Sequence, residues 1–470
     1  MTTPTMTEGR AIVAGGSIAG LLTARALAEH YGEVLLVDRD ELPDAPLARK
    51  SAPHARHAHA LLARGIAIME SLFPGLERDL TALGAFRGRT LNFSIAGYHR
   101  DSRLAPAGLM VSRPLLESEI RRRVRALPNV RCLPHRTVVA PAFSRDRTRI
   151  IGARLKCDHD DEMVPADLLV DATGRGSRAS AWLEAAGYPA PETEAVEVRV
   201  GYSTRIYRRQ PGDLRGAAGI TVAPTRENAR ACGIFAQEGQ RWIVSLAGYN
   251  GDYPPRDEPG FLDFAESLPV PDVYRLLRTA PPLGGIIAHR FSANLRRRYE
   301  RLPRFPEGFL VIGDAVCSFT PIYGQGMTVA ALEVDSLRSC IAEGTRELAP
   351  RFFRRAASIV DAAWSLAAGN DRRVTGAPRA AADRAIGWYM DRFQVAACRC
   401  PEVAAAFKRV THMLETPGSL LRPGTAIRVL RENLRLTVGR RTQALEQPGL
   451  SAGRQFQSPS NIPANSTELR

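Results

Sequence analysis

Hydrophobic positions along the 470-residue chain fall into short saturated runs, longer stretches with helical spacing, and a central region of strict alternation. Residues 10–14 (Arg-Ala-Ile-Val-Ala) form an apolar run ending in Gly15-Gly16. An Ala- and Leu-rich helical stretch follows from about Ile18 to His30, then a second strand, Val34-Leu35-Leu36-Val37, closed by Asp38. Strand, glycine turn, helix and strand in this order make a βαβ unit, hence an α/β fold with a parallel sheet. From Leu47 to Gly65 runs a loop rich in Arg and His (Arg49, Lys50, His54, Arg56, His57, His59), then a helical pattern to about Leu83. Thr90–His99 and Gly108–Val111 alternate like strands, Arg113–Leu127 is helical, and three strand-like stretches lie between Val130 and Met163. Leu168-Leu169-Val170-Asp171 reads as a buried strand. Val196–Ile206, Ala217–Val222, Ala231–Phe235 and Trp242–Ala247 alternate between turn residues, which predicts an antiparallel sheet. Phe309-Leu310-Val311-Ile312 is another buried strand, and a helix is predicted from near Gly326 to about Glu343. Beyond Leu348 the pattern is helical to about Val438, and the Ser/Pro/Asn/Gln-rich segment from Pro448 is predicted to be disordered.

Composition narrows the class without redirecting it. Hydrophobic residues at 44% and charged residues at 24% are ordinary globular values. No apolar run reaches the roughly 20 residues of a spanning helix. The segment MTTPTMTEGR lacks a basic region followed by a long apolar one, so a cytoplasmic location is expected. The net charge of +15 raises nucleic acid as a partner, but only Lys50, Lys156 and Lys408 are lysines and the other 61 basic residues are arginines spread along the chain. Small clusters at Arg121–Arg123 and Arg296–Arg298 form no basic stripe interleaved with aromatics, so no nucleic-acid partner is expected. Seven cysteines without a C-x-x-C pair fit a reducing compartment. Cys398 and Cys400, like His57 and His59, stand two apart and face different sides of a helix, so no metal site is expected.

Three glycine-containing motifs carry the chemistry. Gly15-Gly16-Ser17-Ile18-Ala19-Gly20 sits between the first strand and its helix, where a tight turn and free helix N–H groups hold pyrophosphate. Ser17 replaces the second glycine of the usual fingerprint. Asp38, with Arg39 beside it, closes the second strand and is placed to bind ribose hydroxyls. Asp171-Ala172-Thr173-Gly174-Arg175-Gly176-Ser177 and Gly313-Asp314-Ala315 each follow a buried strand, the latter leading into Pro321-Ile322-Tyr323-Gly324-Gln325-Gly326-Met327.

This ordered trio resembles the FAD-dependent monooxygenases of the glutathione-reductase-like superfamily. The segments GGSIAGLL, RKSAPHARHAHALLARG, VDATGRGS and GDAVCSFTPIYGQGMTVAA are similar to those of flavin epoxidases of polyether and polyketide biosynthesis, over roughly residues 10–340. The resemblance implies FAD, with Gly15, Gly16, Ser17, Ile18, Ala19, Gly20, Asp38 and Arg39 at its ADP half. Arg113 would be directed at the cofactor, Asp171 and Gly174 would belong to its binding surface, and Gly313-Asp314 would hold the ribityl chain. Pro321, Gly324, Gln325 and Gly326 would approach the isoalloxazine ring, followed by Met327, and the helix from Gly326 would point its positive end at N1–C2=O. Arg49, Arg56, His57 and His59 would line the flavin or accept reductant, or serve a surface or structural duty. No single catalytic side chain is implied.

The implied architecture is a Rossmann-like FAD-binding domain (1–85, 113–190 and 306–345), interrupted by an antiparallel-sheet substrate domain (86–112 and 191–305). A helical C-terminal region (346–445) and a disordered tail (446–470) follow. Val198, Val200, Tyr202, Ile234, Phe235, Trp242 and Val244 are candidates for the inward face of the sheet, and as a mainly aliphatic set they suit a hydrophobic substrate. The implied reaction inserts one atom of O2, through a C4a-hydroperoxyflavin, into a hydrophobic natural-product intermediate. Epoxidation of a polyketide or polyene alkene comes first, because the sequence shows no compelling acid–base pair. The alternatives are aromatic hydroxylation and FAD-dependent double-bond reduction of the geranylgeranyl-reductase type. With no second glycine fingerprint, electrons would come from NAD(P)H directly or from a separate flavin reductase. Related halogenases carry WxWxIP, whereas this chain reads Arg241-Trp242-Ile243-Val244-Ser245-Leu246, and Lys50 lies in the wrong context for their lysine. Finally, Ile427, Leu430, Leu434 and Val438 recur at helical spacing among arginines. This stretch is expected to pack on its own domain with a solvated basic face; a membrane or carrier-protein surface is the other reading.

Overall fold

The computed structural model describes residues 7–87, 91–95, 98–100, 107–157, 160–378 and 381–445; the expected disordered tail, 446–470, lies outside them. Five parallel strands form the first sheet, in the order Phe309–Val311, Leu168–Asp171, Thr7–Ala14, Tyr31–Val37, Val130–Leu133. Strands covered on both faces need apolar side chains at every position, and Ala11, Ile12, Val13, Leu168, Leu169 and Val170 are all buried. The helices Ile18–Leu27, Arg113–Arg125 and Gly326–Ala342 pack side by side on one another, with the first in the middle. Thr137–Phe143, Ile150–Lys156 and Asp161–Pro165 form a small antiparallel sheet, so the stretch from Val130 to Met163 holds four strands where three were expected.

The topology brings the motifs together. Gly15, Asp38, the Ala172–Gly174 turn and Gly313 all follow the carboxyl ends of adjacent parallel strands, which is where open α/β sheets bind their ligands.

The second sheet has eight strands, in the order Cys317–Ser318, Ile287–Arg297, Thr193–Arg208, Arg241–Gly248, Arg230–Gln237, Gly219–Ala223, Leu91–Ile95, Tyr98–Arg100. It is antiparallel except where Gly219–Ala223 meets Leu91–Ile95. Its longest pairing partner for Thr193–Arg208, the strand Ile287–Arg297, was not predicted: His289, Arg290, Arg296 and Arg297 hide its alternation. Also unpredicted are the helices Glu258–Glu266 and Pro271–Thr279, although Asp257 caps the first by accepting from Gly260 N and a proline opens each. These helices bury Phe261, Phe264, Val273 and Leu276 against Ile220, Ile234, Trp242 and Val244 on one face of the sheet.

The C-terminal region consists of Leu348–Thr375, Ala381–Ala397, Pro401–Thr411 and Pro423–Leu445. The first of these ends where Gly376 turns left-handed at φ 75°, and it packs on Gly326–Ala342 and on Thr193–Arg208. The expectation for the last helix is corrected. Ile427, Leu430 and Leu434 are 63%, 48% and 65% exposed, whereas Val429 is the residue buried, with Phe393, Val403 and Val410. The apolar stripe faces solvent because the neighbouring helices meet the side carrying Val429 and Asn433; the side chain of Val438 lies outside the described residues. Among the described residues no helix is long and apolar enough to cross a membrane, and no cluster of metal-ligating side chains exists.

Candidate active site

The fingerprint turn is defined by what its glycines exclude. Gly15 has φ 106°, its N–H donates to Val37 O at 2.8 Å, and a Cβ there would lie 2.5 Å from Ala172 O. A Cβ on Gly20 would lie 1.7 Å from Gly15 O. Gly16 N–H donates to Asp38 Oδ2 at 2.5 Å. Ser17, in place of the second glycine, has extended backbone at the helix N-cap, and its hydroxyl donates to Glu117 Oε2 (3.1 Å) and accepts from Arg113 Nη2 (2.9 Å).

Glu117 was not anticipated. It is buried one turn into the helix Arg113–Arg125 and takes Arg49 Nε at 2.6 Å, while Arg49 Nη1 reaches Asp38 Oδ2 at 3.0 Å. Burial alone would raise its carboxyl, but Arg113, Arg49 and Arg121 outweigh burial and hold it below the usual carboxylate range. Arg49 is therefore a structural cation that ties the second strand to the Arg113 helix. Asp38 meets Gly16, Arg49 and, through Oδ1, Asp40 N, so its first duty is to brace the turn. Arg39 and Arg56 are exposed, and Arg56 does not join the cavity wall.

Asp171 braces the turn that follows its strand. It is fully buried, and its carboxylate accepts from Thr173 N, Thr173 Oγ1 and Ser177 Oγ at 2.5–2.9 Å, so it holds its own turn. Asp314 differs. A Cβ on Gly174 would lie 3.9 Å from its Cβ, one on Gly326 3.7 Å from its Oδ1, and it receives no hydrogen bond from any described residue. Burial pushes its carboxyl up, against Arg113 and Arg175. Gly313, at φ 69°, donates its N–H to Glu333 Oε2 at 2.6 Å. Glu333, a second unanticipated residue, is buried in the Gly326 helix and pushed up to about 8, chiefly by burial. The signal for it in the sequence is an acid set directly between Leu332 and Val334 after the apolar run Val329–Leu332.

The loop Pro321–Gln325 precedes the helix Gly326–Ala342, whose first turn holds no acid. Gly324 is left-handed at φ 64°, Met327 is buried in the main core, and among the described residues the buried Gln325 Oε1 and Arg113 Nε have no hydrogen-bond partner, the latter lying 3.7 Å from Glu117 Oε2. Asp371, on Leu348–Thr375, anchors this loop. It is buried and accepts from Tyr323 OH (2.5 Å), Tyr249 OH (2.8 Å), Thr320 Oγ1 (2.8 Å) and Asn294 Nδ2 (2.6 Å).

A cavity of about 620 Å³ opens between this loop, residues 54–62, one face of the second sheet and the C-terminal helices. Of the seven sheet positions expected inward, Tyr202 and Phe235 line it; Ile234, Trp242 and Val244 face the helices behind the sheet, and Val198 and Val200 belong to the main core. The true floor is Thr221, Ala223, Ala231, Gly233, Ser245 and Ala247, small residues whose lack of volume creates the space. Trp242, of the halogenase comparison, donates Nε1–H to Asp213 away from the cavity.

His54, His57, His59 and His289 line the same space. Burial, with positive or histidine neighbours, pushes His54, His57 and His59 down to about 2, 4 and 3, so these rings are neutral. His57 Nδ1 lies 2.7 Å from Thr204 Oγ1, which is 2.5 Å from Ser245 Oγ, itself accepting from Ala58 N.

Asp314 and Gln325 Oε1, without hydrogen bonds among the described residues, together with the fingerprint helix and the nearby Arg113 guanidinium, fit a polyhydroxylated dinucleotide such as FAD. No family model matches the chain. A kynurenine 3-monooxygenase of Salinispora tropica is 26% identical over 369 residues, 71% of this chain and 72% of that protein. Among solved structures, the flavin-dependent brominase Bmp2 gives a TM-score of 0.66 at 15% identity, covering 93% of this chain and 100% of that one. A flavoprotein/dehydrogenase of Cytophaga hutchinsonii gives 0.65 at 12%, covering 94% and 100%. The fold is thus that of flavin-dependent enzymes, a Rossmann-type parallel sheet with a separate antiparallel sheet and a helical C-terminal region. Protein Rv3254 of Mycobacterium tuberculosis is 33% identical over 450 residues, 91% of this chain and 94% of its own length, and the chain belongs to the same family as that protein.

Proposed function

We propose that this protein is an FAD-dependent monooxygenase that transfers one oxygen atom from O2 to a hydrophobic small molecule. The observation that carries the reading is Asp314: an enclosed carboxylate with no hydrogen-bond donor among the described residues, beside Arg113 and Gly326, where hydroxyls of a cofactor chain would complete it. When bound and reduced, FAD supplies the O2 activation that side chains lack.

The residues do the rest. The turn Gly15–Gly20 and the N-terminus of Ile18–Leu27 bind pyrophosphate, and Arg113 adds its guanidinium. Asp314 accepts from the ribityl chain. The N-terminal end of Gly326–Ala342 places backbone N–H groups and the positive helix end by the ring. The floor of small uncharged residues positions the substrate. Reductant is NAD(P)H or the product of a separate flavin reductase.

Alkene epoxidation is the first reading, since the sheet floor offers shape and no charge. Aromatic hydroxylation is the second, favoured by one observation: the neutral His57, held at Nδ1 by Thr204, lines the cavity where its ring can hydrogen-bond and orient a phenolic hydroxyl. Double-bond reduction would need no oxygen. The test is to load the full chain with FAD, reduce it, and supply a polyene under ¹⁸O₂. Labelled product is expected. Unlabelled product, or anaerobic saturation of the double bond, removes the monooxygenase reading and favours the reductase.

A further inference from the structure

The described wall of the cavity contains no Asp or Glu. Its formal charges are Arg372, Arg373 and Lys408, all on the C-terminal helices, and the histidines that share it are neutral. On Leu348–Thr375 the cavity side runs through Ser365, Leu366, Gly369, Arg372 and Arg373, at the spacing of one helix face, while Ala367, Ala368, Asp371 and Val374 are buried on the other. Arg373 pairs with Asp391. Arg372 is partly buried, shares its wall with Leu366, Ile386, Met390 and Phe407, and has no hydrogen bond or ion pair among the described residues. A guanidinium carries five N–H donors and is stabilised by a carboxylate that meets two of them at once. A place in the last turn of a helix, where its charge suits the dipole, is equally available on the solvent side. The wall position therefore calls for another account.

We propose that the cavity takes a mainly apolar substrate bearing one carboxylate, which Arg372 holds against the helical wall while the apolar body lies over Ala231, Gly233 and Ala247 toward Pro321–Gln325. Naming this molecule a substrate rests on the monooxygenase reading; the charge preference of the cavity does not. The acid fixes which carbon of an extended molecule reaches the loop, so it sets regiochemistry as well as affinity.

The experiment uses all-trans-retinoate and all-trans-retinol, matched in shape and differing in charge, with binding to the FAD-loaded full chain followed by ultrafiltration. Retinoate is expected to bind at least about tenfold tighter than retinol, and 0.5 M salt weakens retinoate binding alone. The gap closes in Arg372→Gln, survives in part in Arg372→Lys, and is unchanged in Arg354→Gln, an exposed arginine of the same helix. Equal affinities, absent retinoate binding, or a gap that persists in folded Arg372→Gln overturns the proposal. Should Arg372→Gln fail to fold, the wild-type pair and its salt response still decide. A chain that never retains FAD, or a product without ¹⁸O, sinks the monooxygenase reading while the retinoid comparison stands apart.

Discussion

Glu333 shows how much one buried proton can matter. Its carboxyl, pushed up to about 8 by burial and by the neighbouring Asp314 against the Gly313 N–H, is protonated at neutral pH. In the unfolded chain the same group titrates near 4.5. Between those values the folded state keeps a proton that the unfolded state has lost, so stability falls as pH rises from about 4.5 to 8, and the contribution is gone above that. Glu333→Gln keeps an acceptor for Gly313 and cannot titrate. Its melting temperature is expected to gain on that of the wild type as pH rises from 5 to 8, by an amount equivalent to about 1.4 kcal/mol per pH unit at most. Parallel pH profiles for the two proteins would refute the assignment. Gly20→Ala is the opposite kind of change, since its Cβ would lie 1.7 Å from a backbone oxygen that cannot move without opening the turn; no soluble folded protein is expected from expression trials. Gly20, Arg113 and Asp314 stand out as candidates in the sequence because turn and anion chemistry is written in a few contiguous residues. Glu117, Glu333 and Asp371 were not, because each gains its role from partners 20 to 122 positions away.

At the scale of the element, one misplaced register explains the misread sheet. Even-numbered apolar positions from Val198 to Tyr202 suggest one face, but the pairing of Thr193–Arg208 with Ile287–Arg297 shifts between Glu197 and Val200, where Arg199 turns left-handed at φ 42°. A bulge of this kind changes which side faces inward, and an arginine gives no warning of it. Ile234 and Phe235, adjacent in sequence, must point to opposite faces, and only the helices behind the sheet decide which is inward. Substitutions on the two faces should separate accordingly. Val244→Ala opens a hole against Phe261 and Phe264 and is expected to lower stability by about 2 kcal/mol in denaturant melts, with retinoid binding intact. Ala247→Leu fills the cavity floor, and a loss of retinoid binding of about tenfold or more is expected at near-native stability. Equal effects on both readouts would mean that the face assignment is wrong. The exposed stripe Ile427, Leu430 and Leu434 carries the same lesson for helices: amphipathic spacing marks a face, and the neighbours determine whether that face is covered.

Across the whole molecule, the C-terminal helices are part of the site. Many of the arginines behind the +15 charge pair with the chain's own acids, as at Glu117, Glu194 and Glu343, whereas Arg372 faces the cavity wall without such a pair among the described residues. Beside it, Asp371 connects Leu348–Thr375 to Tyr323 and Thr320 in the loop before Gly326, to Asn294 in the strand Ile287–Arg297, and to Tyr249 at the end of the sheet. One carboxylate thereby joins the parallel-sheet half, the antiparallel sheet and the helical region. Asp371→Asn has nearly the same shape but presents an amide N–H₂ to two of those four donors. Each buried group left without a partner costs about 1–3 kcal/mol, so a loss of about 3 kcal/mol is expected. The loop also approaches the proposed flavin ring, so the damage should not be confined to stability. FAD affinity is expected to fall at least tenfold in equilibrium dialysis, and the visible flavin absorption bands should shift as the ring loses its fixed surroundings. If the variant melts earlier yet binds FAD with wild-type affinity and spectrum, Asp371 serves packing alone and the C-terminal helices do not position the loop.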